Sequence, residues 1–164
     1  MKLNPLRSLT LLVVGASLAS CAPPQDVIKP APGFRVEALS GKGQFVDLAS
    51  MKGKVVLLDF WATWCGPCRE SMPHVKAMYD SLKSKGFEVM GVTAEDRTAV
   101  SKFFTNHPLP YPIFLDGDQS ANQSYDVSSL PTAVVIDRQG NMVYTGHPED
   151  EALRPAIERA LAKS

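Results

Sequence analysis

Val55-Val56-Leu57-Leu58-Asp59-Phe60-Trp61-Ala62-Thr63-Trp64-Cys65-Gly66-Pro67-Cys68 is the stretch on which the reading of this chain turns. Its first seven residues form an apolar run with one acid inside, the pattern of a central strand covered on both faces. Two cysteines follow at C-x-x-C spacing. From Cys68 onward, Met72, Val75, Tyr79 and Leu82 recur at four-three-four-three spacing, which is one apolar face of a helix. A buried strand is therefore predicted to run into a helix whose first turn carries the cysteines. The unpaired N–H groups and partial positive charge of a helix N-terminus favour the thiolate. The thiolate is the attacking species, and a free thiol with a pKa of about 8.5 is mostly protonated at neutral pH. Cys65 sits at that terminus as the candidate nucleophile. Cys68, one turn on and beneath it, is placed to attack a mixed disulfide. Pro67 suits a first turn, where no N–H is needed, and Gly66 keeps the approach open for a substrate backbone.

Two other uses of these cysteines compete with this one. Half a zinc site would need further ligands, but there is no second C-x-x-C, and His74, His107 and His147 are scattered without ligand spacing. No metal and no cofactor is expected. A purely structural disulfide across two residues closes almost no loop and removes little unfolded-state entropy. A pair that adds so little to stability points to redox work.

Outward from this segment, Phe34 to Leu48 holds short alternating patches around Gly41 and Gly43 and is predicted to be a hairpin. Gly86 ends the helix, and Glu88 to Thr93 reads as a second strand. Asp96 is placed to cap a helix carrying Val100, Phe103 and Phe104. Pro108, Pro110 and Pro112 precede a short strand near Ile113 to Leu115. Thr132 to Ile136, the turn Asp137-Arg138-Gln139-Gly140-Asn141 and Met142 to Thr145 read as a second hairpin. Leu153, Ile157, Ala160 and Leu161 mark a final amphipathic helix. The order is an α/β layout around a mixed sheet.

The 164-residue chain suits one globular domain behind a short leader. Mean hydropathy is −0.06. Seventeen basic residues balance seventeen acidic ones, and no basic stripe suggests a nucleic-acid partner. In residues 1–20, Lys2 and Arg7 precede the apolar run Leu9 to Leu18 and the small residues Ala19 and Ser20, the order of an export signal. The run is short for a bilayer span. Removal of residues 1–20 would leave 15 basic and 17 acidic residues, a formal −2. Leu18-Ala19-Ser20-Cys21 resembles the bacterial lipobox, in which the cysteine becomes the acylated first residue; an ordinary signal peptide with an incidental Cys21 is the alternative. Acylation would leave Cys65 and Cys68 as a single pair in an oxidising compartment. Residues 21–33, with Pro23, Pro24, Pro30 and Pro32, read as a semi-rigid tether, and residues 34–164 as the domain.

"VVLLDFWATWCGPCRESMP" closely resembles the active-site segment of thioredoxins. The domain as a whole resembles the membrane-anchored thioredoxin-like reductases of the ResA and TlpA type. About 38 residues separate Thr93 from Pro131, long enough for the helix-plus-strand insertion of that group. The resemblance implies a thioredoxin fold, a Cys65–Cys68 disulfide, and a substrate surface of Trp64, Gly66, Pro67, Leu130 and Pro131. Pro131 matches the family's cis-proline, whose missing N–H would expose a backbone edge beside Cys65. Asp59 stands where thioredoxins carry a buried acid. Burial raises a carboxyl pKa, which suits Asp59 to accept and return a proton as Cys68 becomes a thiolate; a core Asp bonded to backbone is the alternative. Pro73 matches the family's kink in the first helix. Glu95 matches a cavity-lining acid of the subgroup or is a solvated loop acid. Ser71 stands where some ResA-like proteins carry an acid, and Glu70 lies one residue earlier.

The activity so implied is reduction of disulfides in exported proteins outside the cytoplasmic membrane, with apocytochrome c among the substrates. A membrane reductase of the DsbD/CcdA kind would supply electrons, and a monomer is expected. A net disulfide donor and a non-catalytic chain-binding holdase on the same fold are the alternatives.

Overall fold

The computed structural model describes residues 29–163. The leader, Cys21 and most of the proposed tether lie outside the described residues. The central strand is β4 (Val55–Phe60), buried at every position. Its alternation divides the core. Val55, Leu57 and, just past the strand end, Trp61 join one cluster; Val56, Leu58 and Phe60 join the other. Both faces need cover, which explains why the run is apolar throughout.

The strand leads into α1 (Gly66–Leu82), which returns the chain to β5 (Phe87–Thr93), parallel to β4. The buried face of α1 is Cys68, Ser71, Met72, Val75, Met78 and Leu82, while Tyr79 is only partly buried. Next come α2 (Arg97–Asn106) and β6 (Ile113–Leu115), the helix and strand of the expected insertion, then a short α3 (Ser120–Ser124). Asp96 caps α2 as expected, accepting from the Thr98 and Ala99 N–H groups. A hairpin of β7 (Thr132–Ile136) and β8 (Asn141–Gly146) and the helix α4 (Leu153–Ala162) complete the chain.

Before β4 lie β2 (Arg35–Ala38) and β3 (Phe45–Asp47), the predicted hairpin, and β1 (Lys29–Pro30). The eight strands form one mixed sheet in the order β1-β8-β7-β4-β5-β6-β2-β3. This is the thioredoxin fold that the sequence led us to expect. Leu153 and Ile157 of α4 join α1 and Val100 of α2 in the first core cluster; Phe34, Ala121 and Tyr125 belong to the second.

Two elements go beyond the sequence reading. β1 lies inside the segment read as tether, where it pairs with β8 through Lys29↔Met142 and Pro30↔Asn141. Two residues with no apolar alternation leave no strand signal, and the sheet edge tolerates a proline. α3 is polar except for Ala121. It is held from outside by Asp116, whose carboxylate accepts from the Ala121 and Asn122 N–H groups.

Candidate functional site

Cys65 is the N-cap of α1, with extended backbone at φ −78° and ψ 104°. Its sulfur accepts the Cys68 N–H at 3.2 Å, so one of the helix's unpaired donors points at the candidate nucleophile. Cys65 and Cys68 are joined in a disulfide. They are 4% and 1% exposed, a small difference in the expected direction. Trp64, by contrast, is 72% exposed, and Gly66 has nothing within 4 Å of where a Cβ would stand. The approach to the pair is open on that side, and Pro67 is exposed there too.

The loop before Cys65 is tied down. Trp61 N–H donates to Val92 O at 3.1 Å and Cys65 N–H to Ala62 O at 3.1 Å. Between them, Thr63 is held at all three polar groups. Its N–H and hydroxyl donate to the two Glu95 carboxylate oxygens at 2.5 and 2.7 Å, and its carbonyl accepts from Arg69 at 3.1 Å. Glu95 is thus neither a freely solvated acid nor one whose oxygens stand unengaged. It anchors the cysteine loop from just beyond the end of β5.

Asp59 sits near the end of β4, 3% exposed. Burial pushes its carboxyl up from 3.8 to about 7. Its Oδ1 has no hydrogen-bond partner among the described residues, unlike a core Asp bonded through that oxygen to backbone. The strand register pairs Asp59 with Ala133 and Phe60 with Thr132. Pro131, one residue before Thr132 and buried, therefore lies beside the start of the cysteine loop, and the Leu130–Pro131 peptide is cis. Leu130 is partly buried and packs against both core clusters.

Ser71 is 1% exposed and donates to Cys68 O at 3.0 Å. A hydroxyl bonded to the helix backbone stands where the resemblance would place an acid, and Glu70 is exposed. α1 runs through Pro73. His147 is exposed and accepts the Glu149 N–H. Among the described residues, no cluster of His, Cys, Asp or Glu has the makings of a metal site.

Thr63 and Arg69 carry no mark in the sequence as a pair of loop anchors. Thr63 meets Glu95 across 32 residues of chain, a separation with no local sequence signal. Chemically, the site holds a disulfide whose Cys65 sulfur faces a helix N-terminus, beyond the end of a strand whose buried carboxyl, Asp59, is pushed up to about 7. Such a disulfide can exchange with a second disulfide or dithiol.

The comparisons agree with this geometry. ResA of Bacillus subtilis (strain 168), a thiol-disulfide oxidoreductase, is 39% identical over 114 residues. That alignment takes in 69% of this chain but 63% of the relative, so the chain spans less than two thirds of its length. ResA of Bacillus thuringiensis subsp. konkukian (strain 97-27) is 36% identical over 139 residues, 84% of this chain and 78% of the relative. Among solved structures, a Chlorobium tepidum protein provisionally named thiol:disulfide interchange protein DsbE superposes with a TM-score of 0.76 at 34% identity, covering 84% of this chain and 99% of that one. A second protein from Chlorobium tepidum TLS, a thiol:disulfide interchange protein of the thioredoxin family, gives 0.72 at 26% identity, with 84% and 99% covered. The match to the redoxin family runs over residues 27–161, taking in the whole sheet and the cysteine loop, and the chain belongs to that family.

Proposed function

We propose that this chain is an extracytoplasmic thiol–disulfide oxidoreductase that reduces disulfides in exported proteins. The observation that carries this reading is the Cys65–Cys68 pair at the N-terminus of α1, with the Cys65 sulfur receiving the Cys68 N–H beside an open approach at Gly66. In the reduced protein, the Cys65 thiolate attacks one sulfur of a substrate disulfide and expels the other as a thiolate. The Cys68 thiol loses its proton to Asp59 and attacks Cys65. The substrate then leaves with both sulfurs reduced, and the protein keeps the disulfide. Trp64, Gly66, Pro67, Leu130 and Pro131 form the surface on which the substrate chain lies.

Reduction is favoured over oxidation for two reasons. A strongly stabilised thiolate makes an oxidant, a weakly stabilised one a reductant. Gly66 and Pro67 between the cysteines add no positive charge, and the Asp59 carboxylate opposes a second negative one. Electrons would come from a membrane donor of the DsbD/CcdA kind, and the disulfide of an oxidised apocytochrome c is the candidate substrate class. Acylation at Cys21 would hold the domain at a membrane, facing the periplasm or the outer surface of the cytoplasmic membrane.

The test is reduction of insulin with dithiothreitol as electron source. Wild type is expected to speed precipitation of the insulin B chain, and Cys65→Ser to run at the uncatalysed rate. Equal rates for the two proteins, or faster oxidation of a reduced substrate than reduction of an oxidised one, would overturn the reductase reading.

A further inference from the structure

Between α1 and the end of α2 lies a groove of about 420 Å³. Arg69, Met72 and Lys76 line it on the α1 side, and Phe103, His107 and Leu109 line it from α2 and its exit loop. It begins one residue past the dithiol. The Arg69 N–H donates to Cys65 O at 3.2 Å, and Met72 packs in the same core cluster as both cysteines. One whole wall therefore belongs to the inserted helix and the loop that leaves it.

The groove is apolar inside and cationic at its rim. Met72 is buried and Phe103 and Leu109 are partly buried, whereas Arg69, Lys76 and His107 are exposed. Phe103 is held against Trp61 with ring centroids 5.5 Å apart, and His107 stacks on Phe103 at 4.6 Å. That wall is thus built before any partner arrives. No acid lines the groove; Glu70 of α1 is exposed outside it, and α2 carries no acid along its length. Arg69 donates to Thr63 O and makes no ion pair among the described residues. Lys76 meets Asp80 at 2.7 Å, but the same carboxylate also holds Lys83 at 3.1 Å, which leaves this stretch of α1 with a cation in excess. Complementarity asks for an apolar side chain inside and a carboxylate at the rim.

We propose that this groove is a specificity subsite for the substrate chain, taking a segment next to the reactive cysteine that carries an apolar and an acidic side chain. Met72, Phe103 and Leu109 receive the apolar group, and Arg69 and Lys76 receive the carboxylate. Clefts that take small ligands run from about 300 to 1,000 Å³, so the groove has room for a few side chains of an extended chain and not for a folded partner. Spacing along α1 says where those side chains lie. Cys65 and Lys76 are about 16 Å apart along the helix axis, which an extended chain covers in about five residues. Both groups therefore fall within about five residues of the substrate cysteine that Cys65 attacks. The dithiol supplies the exchange, and the inserted helix selects which disulfide is brought to it.

The subsite rests on the reductase reading, so its test has one arm that reads exchange and one that reads binding alone. In the first, reduced protein is mixed with short peptides whose single cysteine is disulfide-bonded to thionitrobenzoate. Attack by Cys65 on the peptide sulfur expels the coloured thiolate, which gives the rate. One probe carries leucine and aspartate within about five residues of the cysteine; in two others the aspartate becomes lysine or the leucine becomes serine. At low salt, wild type is expected to react with the first probe about three- to tenfold faster than with either of the others. Lys76→Glu is expected to lower the aspartate-to-lysine ratio at least about threefold. Lys83→Glu, which breaks a pair with the same Asp80 outside the groove, is expected to leave that ratio unmoved. In the second arm, the leucine-aspartate peptide with its cysteine alkylated is titrated into oxidised protein, and the amides of Met72, Phe103 and Leu109 are expected to shift in the NMR spectrum. This arm still reports docking if the protein proves to be an oxidant. Equal rates for the aspartate and lysine probes, a ratio untouched by Lys76→Glu, or groove amides that stay still would each overturn the proposal. So would groove amides that move with anionic lipid vesicles and not with the peptide, which would make the groove a membrane contact.

Discussion

Asp59 has a consequence for stability that reaches beyond the redox step. Its carboxyl is raised from 3.8 to about 7 by burial alone, so the folded state holds a proton more tightly than the unfolded chain. Below about pH 4 both states are protonated, and the favourable contribution of the neutral acid is fully present. It is lost as pH rises through the folded value near 7, a total on the order of 4 kcal/mol. Asp59→Asn is isosteric and never ionises. It is therefore expected to flatten the stability profile, gaining about 2–4 kcal/mol over wild type at pH 8 relative to the difference at pH 4. Urea denaturation of the oxidised proteins at both pH values measures this; parallel profiles would mean that Asp59 is not held as described. The same variant is expected to slow resolution of the mixed disulfide above pH 7, where wild type offers the carboxylate.

Among the elements, the loop between β4 and α1 depends on the residue just past β5. Glu95 engages both donors of Thr63, and hydrogen bonds to a charged group contribute about 1.5–3 kcal/mol. Glu95→Ala is expected to destabilise the protein by about 1–3 kcal/mol and to speed hydrogen exchange at the Thr63 amide, with Glu95→Gln intermediate because its carbonyl still accepts. Unchanged protection of that amide in the alanine variant would remove the anchor. Much of this architecture can be read from the chain, and the reasons are physical. β4 and α1 declare themselves through long periodic runs, and Asp59 stands out because an acid interrupts an apolar strand. Asp96 sits one residue before its helix and caps it. The contacts that escape are those made at a distance. Glu95 finds Thr63 only when β4 and β5 lie side by side, and Tyr111 meets Tyr79 only through the fold. α3 owes its helix to Asp116 rather than to its own pattern, and Tyr79, in phase with the apolar face of α1, ends partly exposed while Met78 is buried.

For the whole molecule, the proposed attachment to a membrane falls on Cys21, ahead of β1. Cys21→Ala is expected to shift the protein from the membrane fraction to the soluble fraction of cell envelopes while leaving dithiol activity unchanged; a variant that stays membrane-bound would mean an anchor other than the cysteine. Were Cys21 acylated, the placement of β1 would set the end of the sheet at which the tether joins the domain. Lys29 and Pro30 join the sheet beside Met142 and Asn141, next to the turn at the end of β7, whose Ile136 pairs with Val56 near the start of β4. Cys65 follows the other end of that strand. The rise from Val55 to Phe60 along β4, at about 3.3 Å per step, separates the level of attachment from the level of the cysteines by roughly 17 Å. Residues 21–28 could extend at most roughly 29 Å. An acylated Cys21 would thus act as a leash with a working radius: the tether would join the end of the sheet away from the dithiol, and partners would be met within a few tens of ångströms of the lipid.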